Sequence, residues 1–379
     1  MIIKKKIYYW SPHTSHIATI KAVANSALSL IRYGESHYQV SIINSNGEWD
    51  EFLKKKINFI RLSNFFNFKI FPISGFFKSR LVYLYIFFNC LFSLKKIIKN
   101  HKPDFLFVQL ISSLPLVLLI LFNFQTKFIL RISGYPNLNF FRKIIWKLAA
   151  KKLHLVTCPT EITLNYLNSL KIFDEKKLVL LKDPVFNIRE IVFLKKEQIE
   201  EHLDINSKYI ISIGRLTKQK NFILLINSFL QIKKKYKEYK LIILGDGEDF
   251  SNLNDLVNKS QMQNDILLLG FKKNVYKYIA ISDCLICSSL WEDPGFVIIE
   301  AGILNKIIIS SDCPNGPREL LKNNNGYLFE NNNQLSLIKE FDKYKNNSLK
   351  NNQSKIVLSK KIFKDYSVYN HFLSLRSML

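Results

Sequence analysis

The run Ser288-Ser-Leu-Trp-Glu292-Asp-Pro-Gly-Phe296-Val-Ile-Ile-Glu300-Ala carries two carboxylates eight positions apart. On a continuous helix that spacing is roughly 12 Å at about 1.5 Å per residue, and less if Glu292 sits in the preceding loop. Two acids so placed cannot share one reacting atom. They suit opposite ends of an elongated polyhydroxylated ligand, one accepting from sugar hydroxyls and the other from a ribose. A capping acid plus a solvated helix acid is the plain alternative for an isolated pair. Pro294 fits a first helical turn, where its missing amide hydrogen has no helical partner to lose, so a helix is expected to begin there. The free amides from Gly295 onward would then face the carboxyl end of a sheet, where backbone donors and the helix dipole hold a diphosphate.

Four other strand-to-turn junctions accompany this one. Ile213-Gly214-Arg215-Leu-Thr-Lys-Gln-Lys220 places two cations where they would neutralise a leaving diphosphate. Gly245-Asp-Gly247 follows a strand, and glycines there let backbone approach a ligand closely. Leu269-Gly270-Phe271 offers apolar contact and main-chain hydrogen bonds to a base, and Ser311-Asp312 to Glu319 is the last junction. Each alone reads first as a plain or solvated turn.

These junctions need strands to carry them. Short β-branched apolar runs alternate with helical patterns, the pattern of βαβ units and parallel sheets. In the first half, Ile2 to Trp10, Tyr38 to Asn44, Phe105 to Gln109, Phe128 to Ile132, Val156 to Pro159 and Leu178 to Leu181 read as strands. A second series comprises Tyr209 to Ile213, Leu241 to Leu244, Ile266 to Leu269, Cys284 to Cys287 and Ile307 to Ser310. The expected class is α/β, with a second Rossmann-like sheet following the first. Asp183 to Ser207, including the charged run Lys195 to Glu201, reads as an interdomain connection with a short helix. The expected domains are therefore residues 1–190 and 191–360, with a terminal helix in 361–379 packing back on the first.

In order and spacing the junctions resemble the retaining glycosyltransferases of family 4, over about residues 208–330; the Glu-x7-Glu pattern carries most of the likeness. The resemblance implies the GT-B fold, two Rossmann-like domains facing each other across a cleft. It implies Arg215 and Lys220 on the donor diphosphate, Glu292 on the transferred sugar and Glu300 on the ribose. Gly214, Gly245, Leu269 and Phe271 would line the donor site, with the amides of Gly295, Phe296 and Val297 against phosphates and sugar. Such enzymes commonly carry a glycine-rich loop after the first strand, whereas here the loop is Ser11-Pro-His13-Thr-Ser15. His13 there, with Arg131 and Ser133 just past a later strand, is a cleft candidate; surface and structural roles are the alternatives. Retention is implied by the resemblance alone. No Asp-x-Asp occurs in the chain, so no divalent metal and no cofactor are expected; the nucleotide-sugar is a substrate.

The bulk properties narrow the partners. At 379 residues and 48% hydrophobic content, two domains with full cores are expected. Residues 1–190 hold 28 basic and 10 acidic residues (+18), and 191–379 hold 27 and 20 (+7), which sum to the net +25. Such a field suits nucleic acid, an anionic membrane or a phosphorylated ligand, and the total does not choose among them. Five scattered cysteines look like reduced thiols, with Cys284-Leu-Ile-Cys287 a buried strand rather than half a zinc site. The start of the chain has no signal-peptide pattern. Leu114 to Phe124 is too short to span a bilayer and reads as a buried helix.

Aromatic and basic residues interleave from Asn64 to Ile97, as in interfacial membrane contact; a core helix with basic ends fits as well. The expected protein is cytoplasmic and peripheral on the inner face of the membrane. It would use a lipid-linked or other glycan acceptor in surface polysaccharide assembly, with no nucleic-acid partner. A basic nucleic-acid-binding protein and a non-catalytic GT-B sugar-binding protein are the rival readings.

Overall fold

The computed structural model describes residues 3–13, 18–45, 47–50, 57–62, 76–136, 138–204 and 206–379. The chain divides into two compact units, Met1–Pro184 with Val368–Leu379, and Val185–Ser367. The division falls at 184 and 368, against the 190 and 361 read from composition.

The first unit runs β1 (Lys5–Trp10), α1 (Ala18–Tyr33), β2 (Tyr38–Asn44), β3 (Asn58–Arg61), α2 (Phe76–His101), β4 (Phe105–Val108), α3 (Ser113–Leu121), β5 (Lys127–Arg131), α4 (Phe140–Ala150), β6 (Leu155–Cys158), α5 (Glu161–Ser169) and β7 (Leu178–Leu180). Its seven strands pair in parallel in the order β3-β2-β1-β4-β5-β6-β7. A parallel sheet needs both faces covered, which is why β4 reads Phe-Leu-Phe-Val without alternation and is buried throughout. Helices α2, α3 and α4 cover one face, where Cys90, Leu116 and Trp146 pack with Tyr8 and Leu130. On the other face α1 buries Val23, Ala27 and Leu30 against Ile7 and Tyr9.

The second unit runs α6 (Ile188–Leu194), β8 (Lys208–Ile213), α7 (Phe222–Lys235), β9 (Tyr239–Leu244), α8 (Phe250–Lys259), β10 (Ile266–Leu268), α9 (Tyr276–Ile281), β11 (Cys284–Cys287), α10 (Phe296–Ile303), β12 (Ile307–Ser311), α11 (Gly316–Leu320), β13 (Tyr327–Phe329), α12 (Gln334–Asn346) and α13 (Leu349–Phe363). Its six strands are again parallel, ordered β10-β9-β8-β11-β12-β13. Both units are Rossmann-like α/β sheets.

Two short strands, β3 and β13, escape the sequence reading: β3 offers only Phe59 and Ile60 between polar Asn58 and Arg61, and β13 is three residues set in an Asn-rich stretch. The short helix of the connection is α6, ending at Leu194; the charged run Lys195 to Glu201 follows it as turns. Apolar Ile191 facing inward, with Asn187 accepting from Arg189 N–H as the cap, decided the position. Of Leu114 to Phe124, the residues up to Leu121 fold in α3, with Leu114, Leu116, Leu118 and Leu119 buried and Leu121 exposed, and among the described residues no helix is long and apolar enough to cross a membrane.

The last helix, α14 (Val368–Arg376), belongs to the first unit. Phe372 and Leu375 enter the core beside Val23 and Leu30, each worth about 1.5–3 kcal/mol of apolar burial. His371, immediately before Phe372, is also buried, with Nδ1 2.8 Å from the Lys182 carbonyl and Nε2 2.8 Å from Ser26 Oγ, which also meets Tyr9 Oη at 3.0 Å. A carbonyl only accepts, so Nδ1 carries the proton and the neutral ring accepts from Ser26 at Nε2.

Burial, with Arg131 nearby, overrides the Lys182 hydrogen bond and pushes the His371 pKa down to about 3. Above pH ~6.5 neither the folded nor the unfolded histidine is charged and stability is intact. As pH falls toward 3 the unfolded chain takes up a proton that the folded chain refuses, so stability is lost progressively. Lowering pH from 6 to 5 is expected to cost the first unit about 1 kcal/mol, read by denaturant unfolding, and His371→Gln should flatten that slope.

Candidate functional site

In the second sheet the strand order reverses between β8 and β11, which opens a crevice beyond their carboxyl ends. The loops that leave these two strands are Gly214–Asn221 and Ser288–Gly295, and several bonds hold them together. Leu290 N–H donates to the Gln219 carbonyl at 2.8 Å, Gln219 Nε2 to the Trp291 carbonyl at 2.9 Å, and Ser288 Oγ to the Lys220 carbonyl at 2.8 Å. From β12, Ser311 Oγ donates to the Ser289 carbonyl at 2.5 Å.

This clamp brings Lys220 and Glu292 into a direct ion pair through Nζ and Oε1. The same Oε1 accepts from Ser289 Oγ at 2.6 Å and lies 3.9 Å from Cys287 Sγ. The Glu292 side chain is 7% exposed and that of Lys220 17% exposed, enough for one face of the pair to reach a ligand. Burial disfavours the ammonium, but the Glu292 carboxylate outweighs it, and the Lys220 pKa is raised above its ordinary value. The lysine therefore stays charged at neutral pH. Gly214 makes room for it, since a Cβ there would lie 2.8 Å from Lys220 Cε.

Beyond Glu292 the chain turns through a cis Asp293–Pro294 bond into Gly295, whose φ of 97° caps α10 in the left-handed region that favours glycine. Pro294 thus lies two residues ahead of the helix rather than in its first turn. The N-terminal amides of α10, those of Phe296 and Val297 among them, have no intrahelical acceptor, and the Gly295 cap has no side chain to offer them. An anion is what such a terminus lacks. Glu300, four residues into the helix and so about 6 Å along it, is buried and accepts from Tyr276 Oη at 3.1 Å.

Arg215, at the end of β8, is exposed and its side chain makes no hydrogen bond or ion pair among the described residues. Phe271, after β10, is 71% exposed, next to Gly270 at a φ of 69° with open space around it, while Leu269 is half-buried. Gly245 also serves the fold. At a φ of 147°, a Cβ there would sit 1.8 Å from the Gly214 carbonyl oxygen, so glycine is what lets the neighbouring loop approach.

The first unit has a cavity of about 570 Å³ at its own reversal point, between β1 and β4, lined by His13, Ile111, Ser112, Arg131, Ser133 and Trp146 among others. His13 is half-buried, 3.3 Å through Nδ1 from the Ser11 carbonyl and edge-on to Trp49. Ser133 Oγ is buried with no hydrogen-bond partner among the described residues. Arg131 borders the same cavity, but its guanidinium is spent on Asp183 and, at 2.6 Å, on the Leu181 carbonyl, leaving it 5% exposed.

Residues 195–357 match the family model described as glycosyl transferases group 1. The match lies within the second unit and covers most of it. The whole chain superimposes on the crystal structure of Anabaena HepE in complex with UDP at a TM-score of 0.74, with 15% identity and 98% of each chain covered. The fold is GT-B. An uncharacterised glycosyltransferase of Methanocaldococcus jannaschii is 36% identical over 251 residues, 61% of either chain. A Campylobacter jejuni enzyme named as a 4-alpha-N-acetylgalactosaminyltransferase, whose printed acceptor is N-acetylgalactosamine-N,N'-diacetylbacillosaminyl-diphospho-undecaprenol, is 34% identical over 138 residues, 36% of this chain and 37% of that one. The matched stretches thus span about three-fifths or less of these relatives. In the second unit Ser289 and Tyr276 support Glu292 and Glu300, and neither drew notice in the sequence. Ser289, three residues before Glu292, was legible in principle, whereas Tyr276 lies in another element and gives no local sign.

Proposed function

We propose that the chain moves a sugar from a nucleotide-sugar to a lipid-linked or other glycan acceptor at a membrane surface, in surface polysaccharide assembly on the cytoplasmic side. One observation carries the reading: a mostly buried Lys220–Glu292 ion pair stands at the reversal point of the sheet, on loops that also carry Arg215, which is exposed and makes no hydrogen bond or ion pair among the described residues, and that lead into the glycine-capped start of α10. That is a seat for a diphosphate with a carboxylate beside it. Glu292 would orient the sugar and Glu300 the ribose, with Leu269 and Phe271 against the base.

The reaction retains configuration in this reading. The acceptor oxygen bonds to the anomeric carbon on the face from which the phosphate leaves, the carbon–phosphate oxygen bond breaks, and the acceptor proton passes to the departing phosphate oxygen. Arg215, Lys220 and the α10 amides stabilise the leaving charge, which needs no metal. The names of the Campylobacter relative and of the UDP complex supported by HepE favour this donor and acceptor class.

A panel of nucleotide-sugars tests it. The right donor at a hundred times its Kd should add about 2.7 kcal/mol of stability, raising the melting temperature by roughly 5–10 °C. Arg215→Ala and Glu292→Ala should each lose most of that shift. Because Arg215 is exposed and unpaired, its removal should leave the unliganded melting temperature unchanged. Equal shifts in wild type and both variants would remove the site.

A further inference from the structure

The outer surface of the helical layer α2, α3 and α4 is apolar where water should be. On α2, Leu84, Phe88 and Phe92 recur every four residues and are 55%, 67% and 72% exposed. On α4, Phe140, Phe141 and Leu148 are 73%, 74% and 57% exposed, while Trp146, Ala149 and Ala150 on its other side fill the core. Leu121, ending α3 between them, is 65% exposed. The three helices lie side by side over one face of the sheet. With Ile144 (39% exposed) the i, i+4, i+8 spacing recurs on α4 as Phe140, Ile144 and Leu148, and Leu121 on the helix between links the two stripes; apolar patches of that kind on soluble proteins mark interaction surfaces.

Charge says what covers it. Residues 84–152 hold eleven Lys and Arg against one acid, Asp104, and that acid is occupied as the acceptor of Lys6 N–H at 2.7 Å. Lys96 and Lys99 on α2 and Lys143, Lys147 and Lys151 on and after α4 are all exposed beside the apolar stripes. Aliphatic and aromatic side chains ringed by cations, with no acids, match an anionic phospholipid surface: the apolar chains enter the headgroup boundary and the lysines meet phosphates. A nucleic acid would gain nothing from Leu84, Leu121 and Leu148.

We infer that this protein docks on anionic bilayers through the α2–α4 surface, with α4 lying in the interface. The docking rests on the membrane placement proposed above and deepens it by naming the surface, while standing without the transfer chemistry. It also fits the segment Asn64 to Ile97 only in part. Phe65, Phe66, Phe68, Lys69 and Phe71, and the side chains of Phe76, Phe77, Lys78, Arg80 and Tyr83, lie outside the described residues; α4 lies outside that segment altogether. Since Ile145 and Trp146, on the inner side of α4, wall the cavity of the first unit, docking sets that cavity directly behind the lipid headgroups. A lipid-linked acceptor would then reach it without leaving the bilayer.

Co-sedimentation of the full chain with phosphatidylcholine vesicles, with and without about one-third phosphatidylglycerol, tests the inference. Binding is expected only to the anionic vesicles. Phe140→Ser with Leu148→Ser, and separately Lys143→Glu with Lys147→Glu, should each weaken it about tenfold or more. Lys360→Glu with Lys361→Glu, in the other unit, should not. All three double variants should melt as the wild type does and keep wild-type donor hydrolysis, so that loss of docking and failure of the transferase reading are read separately. Wild type that ignores anionic vesicles, α4 variants that bind undiminished, a dimer by light scattering that these variants dissociate, or displacement from vesicles by a single-stranded oligonucleotide would each overturn it.

Discussion

Lys220→Ala is expected to lower turnover of the correct nucleotide-sugar by about 10² to 10³, the scale of one lost charge-stabilising donor at a leaving group. It should also destabilise the second unit by about 3–5 kcal/mol, because it strands the mostly buried Glu292 carboxylate with Ser289 as its remaining close donor. The two effects separate in a second variant. Lys220→Met combined with Glu292→Gln removes both charges, so most of the stability should return, since an uncharged pair of similar volume tolerates burial. Activity should not. Steady-state kinetics and urea unfolding on the three proteins give the answer; Lys220→Ala within threefold of wild-type turnover would separate this lysine from the leaving group.

Arg131→Met should have the second-largest effect, and it should fall on stability alone. The guanidinium and Asp183 are buried at 5% and 7% side-chain exposure, and Arg131 also donates to the Leu181 carbonyl. Removing it leaves a carboxylate in the interior without its counter-charge, at a cost of about 3–5 kcal/mol. Adding Asp183→Asn should recover a large part of that loss. Donor-induced stabilisation of the second unit should be untouched by either change. If Arg131→Met left stability within 1 kcal/mol of wild type and abolished acceptor binding instead, the residue would be a cavity ligand and not a brace. The ends of the segment it holds explain the location: Asn25 Nδ2 donates to the Pro184 carbonyl at 2.8 Å, and His371 Nδ1 donates to the Lys182 carbonyl. Residues 181–184 are thus tied down from three elements just before the chain leaves the first unit.

Much of the fold was legible because its determinants are local. Cys284 to Cys287 reads as a buried strand from four apolar residues in a row, and β11 occupies those four positions. Tyr38 to Asn44 is β2 to the residue. Where local pattern was thin the reading thinned as well, as with β3, β13 and the placement of α6. The start of α10 was misjudged by two residues since Pro294 is compatible with a first turn, while the left-handed backbone at Gly295 is what ends the loop.

For the site, side-chain type carried the reading and pairing did not. Arg215, Lys220, Glu292 and Glu300 stand out from the sequence by their place at strand ends, but nothing local says that Lys220 meets Glu292 across 72 residues while Arg215 faces water. Arg131 and Gly245 show the same limit from the other side: each has the right type at the right strand end, and each turns out to serve the fold.

By itself, then, the order of residues determined two parallel sheets, the strand ends that would carry chemistry and the strongly basic first half, because periodicity, turn chemistry and charge act over a few neighbours. The tertiary structure alone decided which cations are neutralised and which are free, which glycine serves backbone packing, and where the apolar stripes of α2 and α4 come together into one surface. Those outcomes depend on burial and on contacts between residues tens to hundreds of positions apart, and desolvation has no value until the partner that excludes the water is in place.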